Sequence, residues 1–241
     1  MIINVHAGHN PDGRVACGAI GIIRESTEAR RVKDAVISGL RQLGHTVYDC
    51  TCENGTSQVN VLSRIVVACN AHKADLDVSI HFNSGARDAA GNGRTTGTEV
   101  LVYSLTAGAI NYARQICEAV STLGYKNRGV KARPDLSVLR NTKAPALLVE
   151  CCFVDDKDDV QLYDCQKMAD AIVYGITGQH VESVKDSDSD QNVEAPGSET
   201  PTGDKKKLYR VQVGAYSVAG NAVATQAKLK AAGFDAIIVS A

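Results

Sequence analysis

The chain has 241 residues, 44% of them hydrophobic, and a formal net charge of −1 from 26 Lys and Arg against 27 Asp and Glu. That length holds one α/β domain of moderate size plus a small appendage, and the balanced charge excludes a general attraction to nucleic acid. No run approaches the ~20 apolar residues that cross a bilayer, and the absence of Trp leaves little for base stacking or a broad carbohydrate platform.

Met1-Ile2-Ile3-Asn4-Val5-His6 has no basic n-region and too short an apolar stretch for a signal peptide, so synthesis in the cytoplasm is expected. Ile2 to His6 reads instead as a first strand, followed by the loop signal Ala7-Gly8-His9-Asn10-Pro11. Ala29, Val32, Val36 and Leu40 repeat on one helical face between Thr27 and Leu43, and Gly44 stops that helix. A second strand starts at His45. Ser57 to His72 repeats the helical spacing, and Leu76 to Phe82 alternates as a third strand.

Gly85 to Thr96 has no apolar periodicity and is expected to form a long surface loop, of the kind that usually carries function. Thr98 to Tyr103 reads as a strand and Ala107 to Leu123 as a helix. Ala146 to Val149 is apolar throughout, as in a strand buried on both faces. A last helix is expected between Asp156 and Ile176. This alternation predicts an α/β layer fold over residues 1–179.

Composition changes at Gln179. Residues 180–207 are rich in Ser, Asp, Glu, Gly, Pro and Lys and are expected to be a flexible linker. Residues 208–241 read as a small β-α-β tail with its helix over 221–232, below the ~40 residues that usually sustain a core. The eight cysteines (17, 50, 52, 69, 117, 151, 152, 165) lack zinc-ribbon spacing and are expected mostly as small buried apolar side chains.

Four polar residues occupy related positions. His9 follows the first strand, His81 ends the third, Glu150 ends the strand Ala146–Val149, and Glu25 starts the first long helix. In an open α/β sheet, ligands bind beyond the carboxyl ends of strands. Two imidazoles and a carboxylate are a zinc set that leaves a position for water; zinc polarises a carbonyl and lowers the pKa of that water toward ~7. A second carboxylate must then move the proton, and apolar Leu147-Leu148-Val149 suits Glu150 to that task. Singly, each residue has an ordinary explanation: a hydrogen-bonded histidine, a helix-start carboxylate for Glu25, a paired charge. His6 reads as a hydrogen-bonding partner behind the site or as a ligand itself. His45, His72 and His180 read as solvated surface.

The segments Ala7-Gly8-His9, Arg24-Glu25, Val78-Ser-Ile-His81-Phe-Asn83 and Leu148-Val-Glu150-Cys-Cys-Phe153 resemble those of the zinc-dependent N-acetylmuramoyl-L-alanine amidases. Gly97-Thr-Glu-Val-Leu-Val-Tyr103, Asn127-Arg-Gly-Val-Lys131 and Leu136-Ser-Val-Leu-Arg140 extend the resemblance over residues 1–178. It implies a mixed, mostly parallel twisted sheet of about six strands flanked by helices. It also implies Zn2+ on His9, Glu25 and His81, and Glu150 as catalytic base. The implied reaction is hydrolysis of the amide joining N-acetylmuramic acid to L-alanine in peptidoglycan, acting on the cell wall after release. Ala7 and Asn10-Pro11 depart from the usual first motif, which bears on loop shape and substrate preference.

Leu208-Tyr-Arg-Val-Gln-Val-Gly-Ala and Leu229-Lys-Ala-Ala-Gly-Phe234 are similar to the first half of a SPOR repeat, a peptidoglycan-binding module. The half is truncated, vestigial, or completed by a second copy in a homodimer. Rival readings of the whole chain are a zinc peptidoglycan carboxypeptidase and a non-catalytic cell-wall-binding protein.

Overall fold

The structure is a computed structural model that describes residues 1–106 and 108–181, together with Gln226 and Lys230. The chain divides into two units, Met1–Asp186 and Ser187–Ala241. In the second, Gln226 and Lys230 are helical, inside the helix expected over 221–232. The expected linker from 182 onward and the rest of the β-α-β tail, with the homodimer expected through it, lie outside the described residues.

In chain order the first unit runs β1 (Ile2–Ala7), α1 (Glu25–Gln42), β2 (Thr46–Asp49), α2 (Gln58–Asn70), β3 (Leu76–Asn83), β4 (Thr98–Val102), α3 (Ile110–Ser121), β5 (Asn127–Ala132), α4 (Ser137–Asn141), β6 (Ala146–Phe153), α5 (Lys157–Leu162) and α6 (Cys165–Thr177). The six strands form one mixed sheet in the order β2-β1-β3-β6-β4-β5. Every neighbouring pair is parallel except β4 and β6. This is the expected architecture, with β5 and α4 added and the last helical region split in two.

Strand alternation sorts side chains to two unequal faces. Ile3, Val5, Val78, Ile80, Val100, Val102, Leu147 and Val149 face α1, α3 and α6 in the larger core. Leu101 and Leu148 face the other way, in a smaller core with Val61 and Ile65 of α2 and Val138 and Leu139 of α4. Alternation also turns Asn4, His6, Asp77, Ser79, His81, Glu99 and Glu150 to this second side. The helices α2 and α4 cover only part of it, and polar residues occupy the remainder.

Local chemistry sets the helix ends. The Ser57 side chain accepts from the Asn60 N–H at the start of α2, and Asp164 accepts from the Lys167 N–H at the start of α6, each satisfying an amide the helix leaves unpaired. Gly178, at φ 72°, closes α6. His180 and Val181 still pack on this unit, through a 2.7 Å bond from His180 to Asp170 and contact of Val181 with the core. No helix among the described residues is long and apolar enough to cross a membrane.

All eight cysteines are free, and six of them are buried, as small apolar side chains would be. The 84–97 loop is more ordered than its composition suggests. Asp155 accepts from the N–H groups of Gly85, Ala86 and Arg87, Asp158 from those of Asn92 and Gly93, Asp156 from Thr96, and Asp159 from Gly97. A run of acidic residues around the start of α5 thus supplies the acceptors that the loop backbone lacks.

Candidate functional site

The strands run further than sequence alone suggests. β3 continues to Asn83 and β6 to Phe153, so His81 and Glu150 lie inside strands, not at their ends. Cys151, Cys152 and Phe153 are buried and prolong β6. His81 and Glu150 are partners in the β3–β6 register, and Glu150 is the antiparallel partner of Glu99 on β4.

His9 lies just beyond β1, with the uncommon positive φ of 66°. Two neighbours hold it there. Arg30 donates to the His9 carbonyl at 3.0 Å and to the Cys52 carbonyl at 3.1 Å. The fully buried Asn10 donates to the carbonyls of Val15 and Gly55 and accepts from the Gly55 N–H.

Glu25, the first residue of α1, is 4% exposed. Its Oε1 lies 2.9 Å from His81 Nδ1 and 3.3 Å from His9 Nε2, while its Oε2 accepts from the Ala19 N–H at 2.7 Å. Burial opposes its charge, yet the bonds from His81 and His9 outweigh burial and hold the carboxyl well below the usual range. One ligand atom from each of His9, Glu25 and His81 falls within 4.8 Å of the others. Two imidazoles and an ionised carboxylate at that spacing fit a zinc ion with a coordination position to spare.

Glycine permits this convergence. A Cβ on Gly8 would meet the His81 ring at 1.9 Å, and one on Gly18 would meet Glu25 Oε2 at 2.5 Å. Gly8→Ala is expected to displace the His81 ring and weaken metal affinity by about 10–100-fold, the range for lost orienting contacts. Competition with a chromophoric chelator measures this; wild-type affinity would show that the ring is not fixed by this approach.

Glu150 is part-buried, and its Oε2 is out of contact with water and without a hydrogen-bond partner. Burial first, then the charges of Glu25 and Glu99, push its carboxyl up to about 8. A buried carboxyl left unpaired is costly to stability and is common where a group must exchange protons.

His6 is separate from this cluster. It is 1% exposed and its Nδ1 lies 3.4 Å from Ser79 Oγ. Burial, followed by the nearby His81, pushes its pKa down to about 3, so it stays neutral behind the site. His72 stacks on Tyr48 and His180 on Tyr174 at the surface. A second acidic grouping joins Asp88 of the 84–97 loop to Asp156 and Asp158, and one oxygen of each accepts a backbone N–H of that loop.

The sequence points to the 83–97 loop and the Arg128–Arg140 region as lining a groove for glycan and stem peptide, but it does not pair Glu99 with Arg128 and Lys131. Glu99 is 7% exposed; Arg128 Nε donates to it at 2.6 Å, Lys131 Nζ at 2.5 Å and Asn83 Nδ2 at 3.2 Å. Burial works against its charge, but Arg128 and Lys131 hold its carboxyl below the usual range. The pairing became visible only once β5 was placed beside β4.

Comparison with known proteins places the chain in a family. Residues 2–178 match the family model described as N-acetylmuramoyl-L-alanine amidase, and residues 189–240 match the SPOR domain. An uncharacterized protein of Clostridium perfringens is 35% identical, over 83% of this chain and 56% of its own length. The sporulation-specific N-acetylmuramoyl-L-alanine amidase of Bacillus subtilis is 30% identical over 71% of this chain and 59% of its own. The chain spans about half the length of the curated relatives it matches. Among solved structures, the catalytic domain of the CD27L endolysin targeting Clostridia Difficile aligns with a TM-score of 0.66 at 27% identity, covering 76% of this chain and 99% of that one.

Proposed function

This chain belongs to the N-acetylmuramoyl-L-alanine amidase family, and from that premise we propose that it hydrolyses the amide between N-acetylmuramic acid and L-alanine in peptidoglycan. The observation that carries this reading is the unpartnered, buried Glu150 oxygen in register with His81, beside a cluster of two imidazoles and a carboxylate.

In this reading His9, Glu25 and His81 hold zinc. When bound, zinc supplies Lewis-acid polarisation of the scissile carbonyl, acidifies water, and draws Glu150 toward its ionised form. Glu150 takes the proton from the attacking water and delivers it to the departing L-alanine amine. Its apolar surroundings keep its basicity high, which favours the first transfer, and its burial limits competing exchange with bulk water. Glu25 has a further task besides ligation: by accepting from the Ala19 and Phe82 N–H groups it ties the 11–24 loop to β3. Arg30 and Asn10 fix the His9 backbone so that its ring points into the cluster.

The segment matched by the SPOR domain adds affinity for glycan strands in this proposal. The match begins at residue 189, within the stretch whose composition reads as linker.

The test is mass spectrometry of purified sacculi digested by the full chain with zinc, with and without a chelator. The expected products are intact glycan with free lactyl carboxyls, and stem peptides with a new L-alanine amine, all lost with chelator. Release of a C-terminal residue from the stem would support a carboxypeptidase instead. New glycan reducing ends would exclude both.

A further inference from the structure

Across four adjacent strands the second face of the sheet carries a row of functional groups: His81 on β3, Glu150 on β6, Glu99 on β4, and Arg128 with Lys131 on β5. The first two belong to the site already described. The last three form a separate charged group alongside it.

Arg128 and Lys131 are three residues apart, so a regular strand would send them to opposite faces. The β4–β5 ladder is not regular. Thr98 pairs with Asn127 and Val100 with Val130, so Glu99 alone on β4 stands opposite both Arg128 and Gly129 on β5. Gly129, at φ 77°, takes the left-handed conformation that such a bulge uses. The extra residue turns both cations onto Glu99.

One carboxylate offsets one cation, and two are present, which leaves a net positive charge. Neither cation is fully buried: the Arg128 side chain is 28% exposed and that of Lys131 is 44% exposed. Arg128 lies over the Phe153 ring at 5.0 Å and reaches Thr96 O with Nη1 at 3.5 Å, which fixes the guanidinium plane. Its Nη2 has no partner among the described residues. Arg133 lies near enough to act on Glu99 and Glu150, but its guanidinium is bonded to Asp135 at 2.8 Å and not to Glu99. A fixed guanidinium with an open edge, next to an ammonium, suits a carboxylate.

We propose that Arg128 and Lys131, held side by side by Glu99, form a subsite for a free carboxylate carried by the second peptide residue beyond the scissile amide, a diacid joined to the next residue through only one of its carboxyls. Distance favours that residue. Neighbouring strands are about 4.8 Å apart, so the Glu99 carboxylate lies roughly one strand spacing from Glu150, with the cations' open edges just beyond. A peptide advances about 3.3–3.6 Å per residue, so two residues from the attacked carbonyl reach this group. The first residue, alanine, has no charge to offer it. Glu99 is a positioning residue here; Arg128 and Lys131 contact the substrate.

This subsite rests on the amidase reading above, and the test separates the two. The substrates are two muramoyl-tripeptides identical except that the carboxyl that the second residue leaves outside the peptide linkage is free or amidated. With the zinc-loaded full chain, the free acid is expected to be favoured about tenfold or more in kcat/KM, the value of one charge-assisted hydrogen bond, with the difference in KM. Lys131→Gln and Arg128→Ala should bring that ratio toward one, and Lys131→Arg should restore it. Lys131→Gln changes an exposed side chain, so it remains informative if Arg128→Ala fails to fold. Equal wild-type kcat/KM on the two substrates, or an undiminished ratio in Lys131→Gln, overturns the subsite alone. Cleavage of neither substrate overturns the amidase reading and the subsite with it.

Discussion

Glu150→Gln is expected to lower turnover by about 10²–10⁴-fold, the contribution of a positioned general base, while bound zinc stays at the wild-type level. Glutamine keeps the shape and removes the proton acceptor. Because His9, Glu25 and His81 provide the clustered donor atoms without Glu150, metal content and activity should separate in this variant. Sacculus lysis together with metal analysis of the purified protein measures both. Wild-type turnover would remove Glu150 from the proton-transfer role.

The same substitution has a stability signature in the chelated protein. The Glu150 carboxyl is raised to about 8, chiefly by burial, so the folded state holds its proton more tightly than the unfolded chain does. The sign follows from linkage: stability is present below the unfolded pKa of about 4.3 and is lost as pH rises toward the folded value. Without metal, the wild type should therefore lose up to about 5 kcal/mol between pH 4 and 8 that Glu150→Gln does not lose. The melting temperature of the variant should exceed that of the wild type by a growing margin over this range. A margin that is flat with pH would place the Glu150 carboxyl at an ordinary value.

Glu25→Gln is expected to abolish activity by a different route, through loss of the metal. The carboxylate is the anionic member of the cluster, and its Oε1 lies within 3.3 Å of both imidazoles. Loss of this group should exceed the 10–100-fold effect of removing an orienting partner. The structural cost is smaller but measurable. Glu25 accepts from Ala19 N–H on one oxygen and from Phe82 N–H on the other, and glutamine has one oxygen, so one buried N–H is left unpaired at about 1–3 kcal/mol. Competitive chelation gives the affinity and thermal denaturation of the chelated protein gives the cost. Near-native zinc affinity in this variant would exclude Glu25 as a ligand.

Particular elements show where sequence reading succeeded. β1, β3 and β6 carry apolar runs strong enough to identify by pattern. His9 follows β1, His81 and Glu150 lie within β3 and β6 near their carboxyl ends, and Glu25 starts α1, so the topology brings them to one edge of the sheet. α1 was equally legible, because Ala29, Val32, Val36 and Leu40 repeat at helical spacing and are all buried.

β5 was not legible. Its sequence, Asn127-Arg-Gly-Val-Lys-Ala, is an edge strand in which no residue is fully buried, so it lacks the apolar alternation by which a strand is identified. The Arg128–Arg140 region was therefore legible only as a stretch lining the substrate groove, with no partner for either Arg128 or Lys131. The 84–97 loop was legible as a loop, but not as an ordered one. Its acceptors lie about 60 to 70 residues away, on Asp155, Asp156, Asp158 and Asp159.

The α/β layer order, the helix faces and the residue types of the candidate site are legible in the chain alone, because periodicity and position along an element are local properties. Which side chains meet across the sheet depends on how distant strands pair. Strand register turned His81, Glu150 and Glu99 onto one face, and a single bulge at Gly129 turned Arg128 and Lys131 to join them. Register and bulges arise from pairing between distant segments, and a shift of one residue exchanges the two faces.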